Sequence, residues 1–117
     1  MVKRIHLVLV QIIVEVYDMK WLWTWGGRCF GYIEEDNLWT YDGKHVGKLR
    51  GVDIYDSKGC YMGEIIIGDR LITRKSKKHY RSYSFAPYAN RAGYVKYADY
   101  AGYAMYAGYE DFPKLKK

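Results

Sequence analysis

Apolar and polar positions along the first half of the chain fall into short alternating runs broken by glycine. Leu22-Trp-Thr-Trp-Gly-Gly-Arg-Cys-Phe-Gly-Tyr-Ile33 lies over Leu38-Trp-Thr-Tyr-Asp-Gly-Lys-His-Val-Gly-Lys-Leu49 without a gap. A third copy runs from Val52 to Ile65 and aligns if its turn carries two extra residues. The aligned sets are Trp25/Tyr41/Tyr55, Gly27/Gly43/Gly59, Phe30/Val46/Met62, Gly31/Gly47/Gly63 and Ile33/Leu49/Ile65. Each copy reads as an extended arm, a glycine turn and a returning arm, which is a β-hairpin. Gly-Gly and Asp-Gly suit two-residue hairpin turns, which need positive φ. The interior glycine of each returning arm weakens an ordinary strand, so its recurrence predicts a bulge, a bend or a close backbone approach. Arg70 to Tyr80 has an apolar start, a polar turn and an aromatic end, and it is a candidate fourth copy without the glycine pair. A lone hairpin is marginal in water, whereas several packed about one axis bury a common core.

These runs predict an all-β fold of tandem hairpins. Trp25-Gly-Gly-Arg-Cys-Phe-Gly-Tyr-Ile33, Tyr41-Asp-Gly-Lys-His-Val-Gly47 and Ile54-Tyr-Asp-Ser-Lys-Gly-Cys-Tyr-Met-Gly-Glu-Ile65 resemble the bacterial 4-fold beta flower domain family. The resemblance covers roughly residues 20–112, including the Gly-Tyr-Glu-Asp-Phe-Pro ending at 108–113. It implies a small barrel- or flower-like domain of pseudo-fourfold arrangement. It implies no activity and brings no catalytic residues. PRC-barrel domains are similar in hairpin style, but less closely.

The second half is patterned differently. From Tyr94 an aromatic falls at every third position through Phe112, with Phe85 and Tyr88 in the same phase and Arg91 as the break. Period three matches neither an α-helix nor a strand, but it is the repeat of polyproline II. In that conformation Tyr94 to Phe112 would stretch roughly 56 Å, so the segment must wrap, bend or project. Ring burial alone does not offset the entropy of ordering it. It therefore needs backbone hydrogen bonds to a sheet edge or groove, or it stays a flexible, low-complexity tail. This divides the chain into residues 1–18, a repeat-hairpin domain over 19–81 and a Tyr-rich segment over 82–117. Residues 1–18 hold an apolar run, Ile5 to Tyr17, that is too short to span a bilayer and lacks a small-x-small cleavage site. They read as a strand, or as an upstream extension with Met19 as the true start.

Length and charge narrow the functional classes. The chain has 117 residues, enough for one modest core, and a net charge of +6. Residues 1–69 carry eight Lys/Arg against ten Asp/Glu, giving −2, and residues 70–117 carry eleven against three, giving +8. The cations cluster at Arg70, Arg74, Lys75, Lys77, Lys78 and Arg81, with Tyr80 among them. Such a stretch can hold phosphates while a tyrosine stacks a base, or it is a solvated turn. The two cysteines, Cys29 and Cys60, show no ligand spacing and read as ordinary thiols. His45 occupies the repeat position held by Cys29 and Tyr61 in the other copies, which marks it as structural. No nucleophile motif, phosphate loop or metal spacing occurs, so no catalytic residue, metal or cofactor is expected. The expected role is a cytoplasmic, non-catalytic structural or protein-interaction module, acting by a protein partner or self-association and without a membrane span. A nucleic-acid or polyanion binder using residues 70–81 is the alternative, and an enzyme with a site between hairpins is the weaker one.

Overall fold

A computed structural model describes residues 19–115, so the apolar run at residues 1–18, read as a strand or an extension, lies outside the described residues. Eight strands follow in order: β1 (Lys20–Thr24), β2 (Cys29–Glu34), β3 (Asn37–Thr40), β4 (His45–Arg50), β5 (Asp53–Tyr55), β6 (Tyr61–Ile66), β7 (Arg70–Arg74) and β8 (Tyr109–Asp111). One 3₁₀ turn, Lys75–Lys77, leaves β7. Successive strands pair antiparallel from β1 to β8, and β1 also pairs with β7 in parallel. Seven strands of alternating direction leave the first and last pointing the same way, so a parallel pair closes the barrel. Closure pairs each of β1 to β7 on both sides, while β8 is joined to β7 alone.

The hairpin repeat is stricter than the sequence alignment predicts. Leu22, Leu38 and Ile54 stand opposite Gly31, Gly47 and Gly63, and each is followed by a bulge. Beyond the bulge Trp23, Trp39 and Tyr55 face Cys29, His45 and Tyr61. The third copy thus begins at Ile54 and needs no extra residues, which corrects the alignment from Val52. The turns also differ from the two-residue form. The N–H groups of Gly27, Gly43 and Gly59 donate to the carbonyls of Thr24, Thr40 and Asp56. The N–H groups of the same Thr24, Thr40 and Asp56 donate to Arg28, Lys44 and Cys60, so each loop holds three residues. Its last residue is a glycine at φ +100°, +95° or +85°. A type I turn closed by a left-handed residue is the usual three-residue hairpin loop. The Thr24 and Thr40 hydroxyls and the Asp56 carboxylate accept a further backbone N–H, from Arg28, Lys44 and Cys60, the residue that follows each loop.

A fourth hairpin completes the pattern, but not with the predicted return arm. Ile33 faces Leu38, Leu49 faces Ile54, and Ile65 faces Leu71, so Leu71 takes the fourth equivalent place. The returning arm is β8, which pairs with Ile72–Arg74 of β7, and not residues 78–80. Residues 75–108 therefore interrupt a hairpin rather than extend a finished domain. Leu22, Leu38, Ile54 and Leu71 are fully buried and form one layer of the core. Phe30, Met62 and Phe112 form the next with Val46, Phe112 standing edge-on to Phe30 at 5.2 Å. Phe112 is thus a core residue and not one more ring of the tyrosine series.

Candidate functional site

Residues 82–106 have no regular secondary structure, yet their backbone is tied to the barrel at fixed intervals. Ser82 N–H donates to Gly59 O and Phe85 N–H to Ser57 O, at 2.8 and 2.9 Å. Nine residues on, Arg91 and Tyr94 donate to Gly43 O and Tyr41 O, at 2.8 and 2.7 Å. After nine more, Tyr100 and Tyr103 donate to Gly27 O and Trp25 O, at 2.8 and 3.2 Å. The same two carbonyls of each hairpin loop are read every ninth residue. The segment leaves the fourth hairpin, passes the third, second and first loops, and returns to the fourth as β8. It is a belt around one end of the barrel.

The loop glycines make this approach possible. A Cβ at Gly27, Gly43 or Gly59 would collide with the carbonyl oxygen of Tyr100, Arg91 or Ser82 respectively. Positive φ and close contact thus both require glycine there. Barrel tryptophans grip the belt from beneath. Trp23 Nε1–H donates to Ala98 O and Trp25 Nε1–H to Ala104 O, both at 3.0 Å. Trp23 stacks on Tyr100 with centroids 3.9 Å apart, and the Arg91 guanidinium sits 3.8 Å above Trp39 at the corresponding step. Trp25 packs between Tyr103 and Tyr106 at 4.8 and 4.9 Å. The outer sides of the rings remain wet: Tyr88, Tyr94, Tyr97, Tyr100, Tyr103 and Tyr106 keep 44–57% of their surface.

The basic stretch is largely consumed by the fold. Arg70 is buried, with its guanidinium 4.2 Å from the Tyr103 ring and 5.1 Å from Tyr100, and it donates to Trp25 O and Ala101 O. It anchors the belt and offers no surface charge. Arg74 pairs with Glu64 at 3.3 Å and covers Tyr109. Lys77 pairs with Asp53 at 2.8 Å and Glu64 at 3.5 Å, and Lys78 pairs with Glu110 at 2.6 Å. Tyr80 stands edge-on to Tyr61, and Arg81 donates to the carbonyls of Lys78 and Tyr80. Among the described residues only Lys75 and Arg81 of this set lack a carboxylate partner. Lys75, Lys78, Tyr80 and Arg81 remain exposed, whereas Arg70 is buried.

His45 belongs to the belt as well. Its Nδ1 accepts the Tyr88 N–H at 3.0 Å, which leaves the proton on Nε2 to donate to Gly47 O at 3.1 Å. Burial, opposed by the Gly47 bond and reinforced by the nearby Lys48 and Arg91 charges, lowers its pKa below 6.5. Protonation would remove the acceptor that holds Tyr88. A depressed base binds fewer protons folded than unfolded, so its stability contribution is complete above 6.5 and fades as pH falls through the folded value. The melting temperature is expected to drop on acidification below pH 6.5, and His45→Gln to blunt that slope. An unchanged slope in the variant would exclude His45 as its source.

Two clefts open where belt meets barrel. One, of ≈ 420 Å³, is lined by Trp21, Trp23, Tyr97, Ala98 and Tyr100. The other, of ≈ 380 Å³, is lined by Glu34, Glu35, Asn37, Trp39, Tyr88, Ala89 and Arg91. Both fall within the size range of ligand sites. The sequence reading missed both, because their walls come from two segments about 50–75 residues apart. The described residues hold no cluster of His, Cys, Asp and Glu that could bind a metal, and no helix long and apolar enough to cross a membrane. Cys29 and Cys60 are both free, and burial pushes the Cys29 thiol up, away from the reactive thiolate.

Comparison with known families finds a match to the one described as 4-fold beta flower protein, over residues 10–99. The matched span starts within the first eighteen residues, which the resemblance read from the sequence left out, and stops short of Tyr100–Phe112, which it included. No curated protein and no solved structure matches.

Proposed function

The chain belongs to the 4-fold beta flower family, and on that premise we propose that it is a non-catalytic protein-interaction module whose contact surface is the tyrosine belt. One observation carries this reading: six belt tyrosines stay half exposed while the backbone beneath them is pinned to the barrel. Tyrosine and tryptophan give large amphipathic contact area and are enriched at interfaces. A belt already ordered in the free protein loses little further freedom on binding, which favours affinity. Exposed aromatic surface of this density is uncommon on a monomer without a partner. The polyanion alternative draws less support, since Arg70, Arg74, Lys77 and Lys78 already have partners within the fold.

The test is capture from a native extract using the intact chain and a Tyr97→Ser/Tyr106→Ser variant. A protein partner retained in high salt, and at least about tenfold depleted with the variant, is expected. Release of the captured material by moderate salt, with nucleic acid as its main component, would transfer the case to polyanion binding. Equal recovery with both chains, at equal melting temperature, would remove the belt from consideration.

A further inference from the structure

The two clefts are one site built twice. Trp21 and Trp23 of the first correspond to Asn37 and Trp39 of the second, sixteen residues on. Tyr97, Ala98 and Tyr100 correspond to Tyr88, Ala89 and Arg91, nine residues back. The barrel walls thus follow the hairpin period, and the belt walls follow the belt period. The clefts adjoin at Tyr94, which stands edge-on to Trp21 at 5.7 Å and to Tyr32 at 5.5 Å. Tyr32 in turn lies parallel to Trp39 at 6.5 Å. Their chemistry differs. Aromatic rings and Ala98 alone line the first. The second has a carboxylate rim: Glu34 is held by Arg91 at 2.8 Å, while Glu35 is exposed beside the equally exposed Asp36.

We propose that the double cleft is a docking groove for a proline-rich partner segment in the polyproline II conformation, with a basic residue flanking its prolines. This rests on the interaction-module reading and names the partner chemistry. Aromatic-lined grooves suit such segments, because the helix is preformed, repeats every three residues and leaves its carbonyls free. The barrel already binds a segment without regular secondary structure in its own belt. That segment carries an aromatic at every third residue, and indole N–H groups take its carbonyls at Ala98 and Ala104. In the second cleft the matching donor, Trp39 Nε1, is buried without an acceptor among the described residues. A buried donor left unpaired is costly, and an entering carbonyl supplies what it lacks. Tyr88, more than half exposed, is the side chain that shifts to admit it. Glu35 on the rim of this cleft, with Asp36 beside it, attracts a lysine or arginine at the same end of the segment.

The experiment titrates the full chain with a synthetic decapeptide of eight prolines and two arginines, read by tryptophan fluorescence and by amide chemical shifts. Saturable binding is expected, with shifts centred on Trp21, Tyr97 and Tyr88. Replacing the prolines by alternating glycine and serine is expected to weaken binding at least about tenfold. Replacing the arginines by glutamates, or making Glu35→Gln, is expected to weaken it about threefold to tenfold, more at low salt. The peptide substitutions leave the protein untouched, so no folding defect can imitate them. Four results would overturn the proposal. These are no binding at millimolar peptide, equal affinity for the glycine-serine peptide, tighter binding of oligothymidine or an oligosaccharide at Trp21, and a dimer sealed through the clefts that peptide does not open. If the peptide fails while a captured protein still protects the belt tyrosines, the interaction module stands and this groove assignment falls.

Discussion

Excising residues 76–107 and joining Lys75 to Gly108, the closing pair of the fourth hairpin, through a three-residue loop copied from Tyr41-Asp-Gly43 is expected to yield a chain that self-associates more than the intact one. The belt is what covers Trp23, Trp25 and Trp39, whose exposures are 6%, 1% and 1%. Their burial is worth about 1.5–3 kcal/mol per ring, a large part of a total stability of about 5–15 kcal/mol. Excision also relieves the entropy of ordering some thirty residues, so a folded core can survive it. Solubility cannot be rescued in the same way. Three indoles would surface together at one end of the barrel, and a contiguous aromatic patch of that size drives association. Arg70 would be left beside them, without Tyr100, Tyr103 and the Ala101 carbonyl that now enclose its charge. Light scattering coupled to size exclusion is the measurement. Oligomers or aggregate with a red-shifted tryptophan spectrum are expected, and a stable monomer would reduce the belt to a passenger on a self-sufficient barrel.

What was legible in the sequence follows from which contacts are local. Three hairpins close on themselves within about a dozen residues, so Gly27, Gly43 and Gly59 announce their loops, and Phe30, Met62 and Leu22 announce the core. The fourth hairpin has the same arms, but 34 residues separate its return from its outgoing strand. Nothing local marks Phe112 as the partner layer of Phe30. A signal did exist: Phe112 and Leu115 repeat the three-residue step from Phe30 to Ile33. The aromatic period of three likewise hid a period of nine. Arg91-Ala-Gly-Tyr-Val-Lys-Tyr-Ala-Asp99 lies over Tyr100-Ala-Gly-Tyr-Ala-Met-Tyr-Ala-Gly108. That longer period matches the hairpin loops, and it converts a low-complexity segment into an addressed one. Charge counting leaves out what the fold adds. It registers Arg70 and Lys77 as surface cations, while the fold encloses one between tyrosine rings and gives the other two carboxylates.

The belt is not held equally at its three crossings, and Trp25→Ala is expected to show this as a single-site loss of about 3–5 kcal/mol, the usual range for emptying a buried aromatic position. In a domain of this size that lowers the melting temperature by roughly 12–30 °C. The position repeats as Tyr41 and Ser57 in the second and third hairpins, both only half-buried. Trp25 alone fills the space between two belt rings and donates to a belt carbonyl. Two controls separate these contributions. Trp25→Phe keeps a ring and forfeits the bond to Ala104 O, so it should cost more through lost area than the about 1 kcal/mol of a typical hydrogen bond, yet less than alanine. Ser57→Ala removes only a hydroxyl at the third crossing and should stay within about 0.5 kcal/mol of the parent. Amide exchange adds the spatial readout: in Trp25→Ala, protection should fall first at Tyr100 and Tyr103, while Arg91 and Tyr94 remain bonded to the second loop. If alanine at 25 costs under about 1 kcal/mol, or if all three crossings loosen together, the belt is a single cooperative unit and Trp25 is not its anchor.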